Sequence, residues 1–202
     1  MFRKNFLVIL LGIGLGTAAA QESSIEGKAD LERLIERKAV PAEVLADAVK
    51  AVQDVGEQTL KGNYEGVVEK MYPRYRRRAA KKLGSNSQLV ERMRKLVNEY
   101  AASGIAITNF VAEPAMHGFD IPEFNEWLVF VPTTRTLRVV NPTTGKTETA
   151  SQPGYQVAIR SKKEGSTWSF LNGDYKVQEL RSLFPSLPAD IGEWAIPQKR
   201  GK

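Results

Sequence analysis

The sequence predicts an α+β domain, with helices first and an antiparallel sheet after them. From Pro41 to Gly104 apolar residues recur at spacings of three and four, the period of a helix with one buried face. After Gly104 that spacing gives way to extended segments separated by proline, asparagine and glycine. One short helical pattern, "KVQELRSLF" (176–184), follows the last extended segment.

Pro41 opens the first helix, in which Val44, Leu45, Ala48, Val49, Val52 and Val55 form the apolar stripe. "KGNY" (61–64) breaks it, and Asn63 is placed to cap the next helix. That helix buries Tyr64, Val67, Val68 and Met71. Pro73 should kink or interrupt it before it resumes to Leu83 and stops at Gly84. Ser85 and Gln88 have capping-box spacing at the head of a third helix, which runs through Leu89, Val90, Met93, Leu96, Val97 and Tyr100.

Extended segments are expected at 105–113, at 126–140 with a bend or bulge near Pro132, at 155–161 and at 167–173. Residues 114–125 hold two prolines and read as a loop, and "NPTTGK" (141–146) reads as a turn. The tail 186–202 carries Leu187, Ile191, Trp194 and Ile196 without a regular period.

The first twenty residues have the build of a signal peptide. Arg3 and Lys4 precede the apolar run "FLVILLGIGLGT" (6–17), and Ala18 and Ala20 stand at small-residue positions before Gln21. The run is shorter than the ~20 residues that a membrane-spanning helix needs. An exported protein, periplasmic or secreted, with no membrane span after cleavage is the expectation. A charged lead-in occupies 21–40, the domain 41–185 and the tail 186–202.

Of the 202 residues 42% are hydrophobic and 26% charged, values of a chain with a real core. Removing residues 1–20 takes away two basic residues and no acid, which lowers the net charge from +6 to +4. That mild excess does not mark a nucleic-acid binder. The chain has no cysteine, so disulfides, thiolate zinc sites, cysteine nucleophiles and a lipid-anchoring cysteine are all excluded.

"SKKEGSTW" (161–168) resembles the Asp box of sialidases at Ser161, Gly165, Thr167 and Trp168, and departs from it at Lys163, where the aspartate should stand. The box is a tight hairpin: an acceptor holds the turn, glycine takes a positive φ, and tryptophan packs across the strands. Ser161 or Glu164 would have to replace the missing acceptor. A single copy in a domain too small for a propeller reads as structure rather than catalysis.

A broader resemblance is carried by "LKGNYEGVVEKMYP" (60–73), by the helical lead, by "YQVAIRSKKEGSTWSFLNGD" (155–174) and by Leu183, Phe184 and Pro185. These are similar to exported bacterial members of the nuclear transport factor 2-like, cystatin-like superfamily, over roughly residues 41–185. The resemblance implies a curved sheet wrapped round a long helix as a cone with an interior pocket. It implies no single function, because that fold serves isomerases, dehydratases, transport adaptors and dimerisation modules.

Three groups of candidate residues follow. The aromatics Tyr64, Tyr72, Trp127, Phe130, Tyr155 and Phe170 would line or fill the cone. His117, the one histidine, has Asp120 three residues on, which would make an acid–base pair if both faced a substrate; its proline-bounded setting favours an exposed loop histidine. One histidine among loosely spaced acids gives no metal-ligand pattern, and neither a metal nor a cofactor is expected.

The third group is basic. In "YPRYRRRAAKKLG" (72–84), at 100° per residue, Arg74, Arg77, Arg78, Lys81 and Lys82 share an arc of about 140°, and Tyr72, Tyr75, Ala79 and Leu83 lie opposite. This is an amphipathic helix with a solvated cationic face, suited to an anionic envelope polymer or an acidic protein partner and not to nucleic acid.

The expected function is a non-catalytic binding or interaction module of the cell envelope with a small apolar pocket, and a homodimer is admitted. The alternative is a small isomerase- or dehydratase-type enzyme with acid–base groups in the cone. Expressed with its leader in an exporting bacterium, the mature protein should begin at or within a few residues of Gln21. Mass measurement of the exported form checks this, and an intact Met1 on a membrane-bound form would refute it.

Overall fold

The computed structural model describes residues 40–173 and 175–194. The expected leader (1–20), the expected lead-in up to residue 39 and the tail beyond residue 194 lie outside the described residues. The fold is α+β. Helices α1 (Ala42–Leu60), α2 (Tyr64–Glu69), α3 (Pro73–Leu83) and α4 (Asn86–Ala102) precede strands β1 (Ile105–Ala112), β2 (His117–Ile121), β3 (Glu126–Val140), β4 (Thr147–Ser161) and β5 (Ser169–Asn172). Helices α5 (Val177–Leu183) and α6 (Ile191–Trp194) follow. No described helix is long and apolar enough to cross a membrane.

The helix boundaries follow local chemistry. Asn63 Oδ1 accepts the Gly66 amide at 3.2 Å to cap α2, and Ser85 Oγ accepts the Gln88 amide at 3.1 Å to cap α4. Pro73 interrupts rather than kinks. It stands at the first position of α3, where its missing N–H costs nothing, and Tyr72 before it is extended. Gly84 ends α3 at φ 106°.

The antiparallel sheet has the order β1-β3-β4-β5, with β2 also on β3. β3 and β4 pair along their whole lengths, from Glu126 opposite Ser161 to Val140 opposite Thr147. β1 and β2 lie end to end along the other side of β3, paired with 133–139 and 126–130. Pro132 falls in the gap between them, where no strand asks for its N–H, so β3 needs no break there; its carbonyl accepts the Glu113 amide at 2.8 Å.

Three segments differ from the expectation, the first being Ile191–Trp194, which was expected within an irregular tail and forms the short helix α6. Residues 117–121, expected as loop, pair with β3 as β2, since five residues between prolines suffice once a neighbouring strand supplies hydrogen bonds. β4 starts at Thr147 rather than Tyr155. Its first half is polar and exposed, and only its ladder with β3 makes it a strand.

Alternation along the strands divides the core in two. Leu128, Phe130, Tyr155, Val157 and Ile159 face Tyr72, Leu180, Phe184, Leu187 and Ile191. Val129, Val131, Ala158 and Phe170 face α1 through Val44, Ala48, Val52 and Val55. A third cluster, Val68, Ala79, Leu89, Val90 and Met93, joins α2, α3 and α4. These helices are stitched to the sheet where the Tyr72 amide donates to Phe170 O and the Phe170 amide to Lys70 O, both 2.9 Å.

The hairpin at 161–168 is held as its sequence requires. Ser161 Oγ accepts the Lys163 amide at 3.3 Å in place of the missing aspartate, and Gly165 takes φ 73°. The carboxylate comes instead from α1: Trp168 Nε1 donates to Asp47 Oδ2 at 2.8 Å, and Arg160 pairs with the same carboxylate. The Arg160 guanidinium lies 4.6 Å from the Trp168 ring.

Trp168 is 9% exposed, so Trp168→Ala should cost about 3–5 kcal/mol in urea unfolding. Trp168→Phe keeps a ring and loses only the bond to a half-exposed Asp47, so about 1 kcal/mol is expected. Equal losses for the two variants would show that the hydrogen bond, not the packing, holds the hairpin.

Candidate functional site

A cavity of about 100 Å³ lies between the helices and the α1-facing side of the sheet. Its apolar wall comes from Val55 of α1, Val67 and Met71 at α2, Met93 of α4, Phe110 of β1 and Phe170 of β5. Gly56 sets how deep Phe110 sits, because a Cβ there would stand 2.1 Å from the ring. Leu60, also in the lining, is 38% exposed.

The polar wall is built on β3, β4 and β5: Thr133, Arg135, Gln156 and Asn172. At Gly154 a Cβ would stand 3.5 Å from Arg135 Nη2 and 3.6 Å from Thr133 Oγ1. The next residue of β4 on the same face is Gln156, whose buried Oε1 accepts no hydrogen bond among the described residues. Among the described residues of the lining, Arg135 carries the one formal charge, and none is a carboxylate or an imidazole. Nearby on α4, burial raises the Tyr100 phenol above its usual range, helped by Glu99 and opposed by the Arg135 charge.

The six sequence-predicted aromatics divide among three places. Tyr155 and Phe170 contribute to the lining. Tyr72 and Phe130 belong to the core on the opposite side of the sheet, where Phe130 packs edge-on to Phe119 at 5.9 Å. Trp127 lies on the α1 side beneath the Lys162 ammonium, 4.1 Å from its ring, and Tyr64 packs among α2, α3 and α4. Alternation explains the absence of Phe130 from the lining, because it is an even-numbered β3 position whereas the cavity takes Thr133 and Arg135; Tyr155, opposite Pro132, belongs to the Phe130 core and borders the cavity as well.

His117 and Asp120 are not brought together. Both are on β2, three positions apart, and so point to opposite faces. His117 stands opposite Phe130, whereas Asp120 accepts from Lys162 on the α1 side. Burial raises the pKa of the Glu126 carboxyl, while the Tyr72 hydroxyl, donating at 3.1 Å, and Arg74 pull it back. It too lies across the sheet from the cavity. Among the described residues no three His, Asp or Glu side chains cluster as metal ligands would.

The basic helix presents Arg77, Arg78, Lys81 and Lys82 to solvent, and no ion pair among the described residues uses them. Arg74, on the same arc, is partly covered instead: its guanidinium stacks 3.4 Å from the centre of the Phe124 ring. Arg76, on the tyrosine side, donates to Glu69 O at 2.8 Å.

Arg135 and Gln156 were absent from the sequence expectations, though one signal was present. Val129, Val131, Thr133, Arg135 and Leu137 share one face of β3, so Arg135 is a cation set in an apolar stripe. No family model matches the chain, and no curated protein matches it.

Charge reversal on the exposed face, Arg77→Glu with Lys81→Glu, should change unfolding free energy by only about 0.5 kcal/mol per residue. It should abolish any salt-sensitive binding to a heparin-like or teichoic-type polymer. Unfolding of the double variant would show that α3 is buried where it is drawn exposed.

Proposed function

We propose that the protein is an exported, non-catalytic binding module of the cell envelope, holding a small, mainly apolar ligand between its helices and its sheet. The observation that carries this is the cavity lining: an apolar wall, a few polar groups and one guanidinium. General acid–base catalysis needs a group that can give and take a proton near neutral pH. Arginine stays protonated, and among the described residues the lining offers only tyrosines besides. The isomerase or dehydratase alternative therefore has less support.

Export rests on the basic, apolar and small-residue order of positions 3–20. The order of helices then sheet, with a cavity between them, supports the reading as a nuclear transport factor 2-like cone. The exposed cations of α3 suit an anionic envelope polymer or an acidic protein as a further partner.

Binding of a fluorescent apolar probe, displaced by small hydrocarbons, tests the cavity as a ligand site. The wild type should bind and gain thermal stability, and Val67→Phe, which fills the wall from α2, should lower the affinity at least tenfold. Absence of probe binding by the folded wild type, or equal binding by the variant, would refute the reading.

A further inference from the structure

The outer edge of β4 changes character along its length. From Gln156 to Ile159 it pairs with β5, whereas from Thr147 to Pro153 no described strand lies beside it. The ladder shows which residues face outward there. The Val140 amide goes to Gly104 O at 2.8 Å, away from β4, so Thr147 opposite it turns its own amide and carbonyl outward. Alternation sends Thr149, Ser151 and Pro153 outward as well. The far end agrees: a Cβ on Gly173 would stand 1.8 Å from Tyr155 O, so that carbonyl also lies on the outer side. Among the described residues no hydrogen bond reaches the outward groups of Thr147, Thr149 and Ser151.

Two copies of this edge match each other in one antiparallel register. With a two-fold axis at Thr149, that residue faces its counterpart, and Thr147 faces Ser151 of the second copy. Each such pair exchanges two backbone hydrogen bonds. The next pair along is Gly145 with Pro153. The Gly145 amide is already given to Asn141 O at 2.8 Å, and proline has none to give, so the ladder ends with no donor left over. An axis at Ser151 would set Thr149 against Pro153, and one at Thr147 would set it against Gly145. Either leaves the Thr149 carbonyl without a donor.

Side chains fit the same register. Glu148 comes opposite Ala150 and Lys146 opposite Gln152, so no like charges meet directly, and the threonine and serine hydroxyls pair across the seam.

We propose that β4 pairs with the β4 of a second copy of this chain, antiparallel about Thr149, joining two sheets into one. So short a seam buries less than the ~1,200 Å² of a standard stable interface, and the dimer is reversible. This does not rest on the reading of the cavity.

Sedimentation velocity on the full exported chain, from micromolar to millimolar concentration, should show a monomer–dimer equilibrium. Thr149→Pro removes only an outward amide, so it should weaken the dimer at least tenfold and leave urea unfolding of the dilute protein unchanged. The chain has no cysteine of its own, and counterparts at the axis stand about 5.5 Å apart between Cα atoms, within disulfide reach. Thr149→Cys should therefore form a disulfide dimer on oxidation, and Ala150→Cys, whose side chain lies on the other face and off the axis, should not.

A wild type that stays monomeric throughout, or a dimer that Thr149→Pro leaves as tight as before, overturns the proposal. Equal cross-linking of the two cysteine variants does the same. The wild-type series and the cysteine pair decide the matter even if Thr149→Pro does not fold.

Discussion

The full-length ladder between β3 and β4 is the constraint on which the other elements depend. Every other strand attaches to one of these two, and register along fifteen residue pairs assigns each side chain to one face. A slip of one residue would exchange Phe130 with Val129 and carry the apolar sets of both faces to the wrong partners. The turn that sets the register is therefore well specified. Asn141 Oδ1 accepts the amides of Thr143 and Thr144 at 2.9 and 3.1 Å, and Gly145 takes φ 68°.

Helix α1 is fixed to this ladder by more than apolar contact. Gln53 donates to Phe110 O at 3.2 Å and accepts the Ala112 amide at 2.9 Å, so one side-chain amide occupies the open edge of β1 as a neighbouring strand would. Asp47 holds Trp168 and Arg160 at the other end of the sheet. Apolar packing alone would let the helix slide along the sheet. These two polar attachments, at positions six residues apart on α1, set its place, and with it the wall of the cavity formed by Val55, Gly56 and Thr59.

The helices were legible because helical hydrogen bonds are local. Asn63, Pro73, Gly84 and Ser85 act on backbone groups within four residues, so the stops and starts appear where those residues stand. The turn at 141–146 was legible for the same reason. β2 and the first half of β4 were not, because their hydrogen bonds run to β3; β2 shows only two alternating apolar residues, Phe119 and Ile121, and the first half of β4 is polar and exposed. The hairpin at Trp168 stood between these cases. Its turn was readable, whereas the carboxylate that receives the indole comes from 121 residues earlier in the chain.

By itself the sequence determined that helices precede an antiparallel sheet, the caps and turns, the amphipathic character of α3 and the absence of thiol chemistry. Each is a property of neighbouring residues or of composition. Tertiary structure alone decided which face of the sheet meets which helices, and so placed Phe130 in one core and Phe170 in the other. It also separated His117 from Asp120 across β2 and placed Arg135 close to Gly154. The physical reason is that alternation tells which residues share a face, but only strand pairing and helix docking decide what that face is packed against.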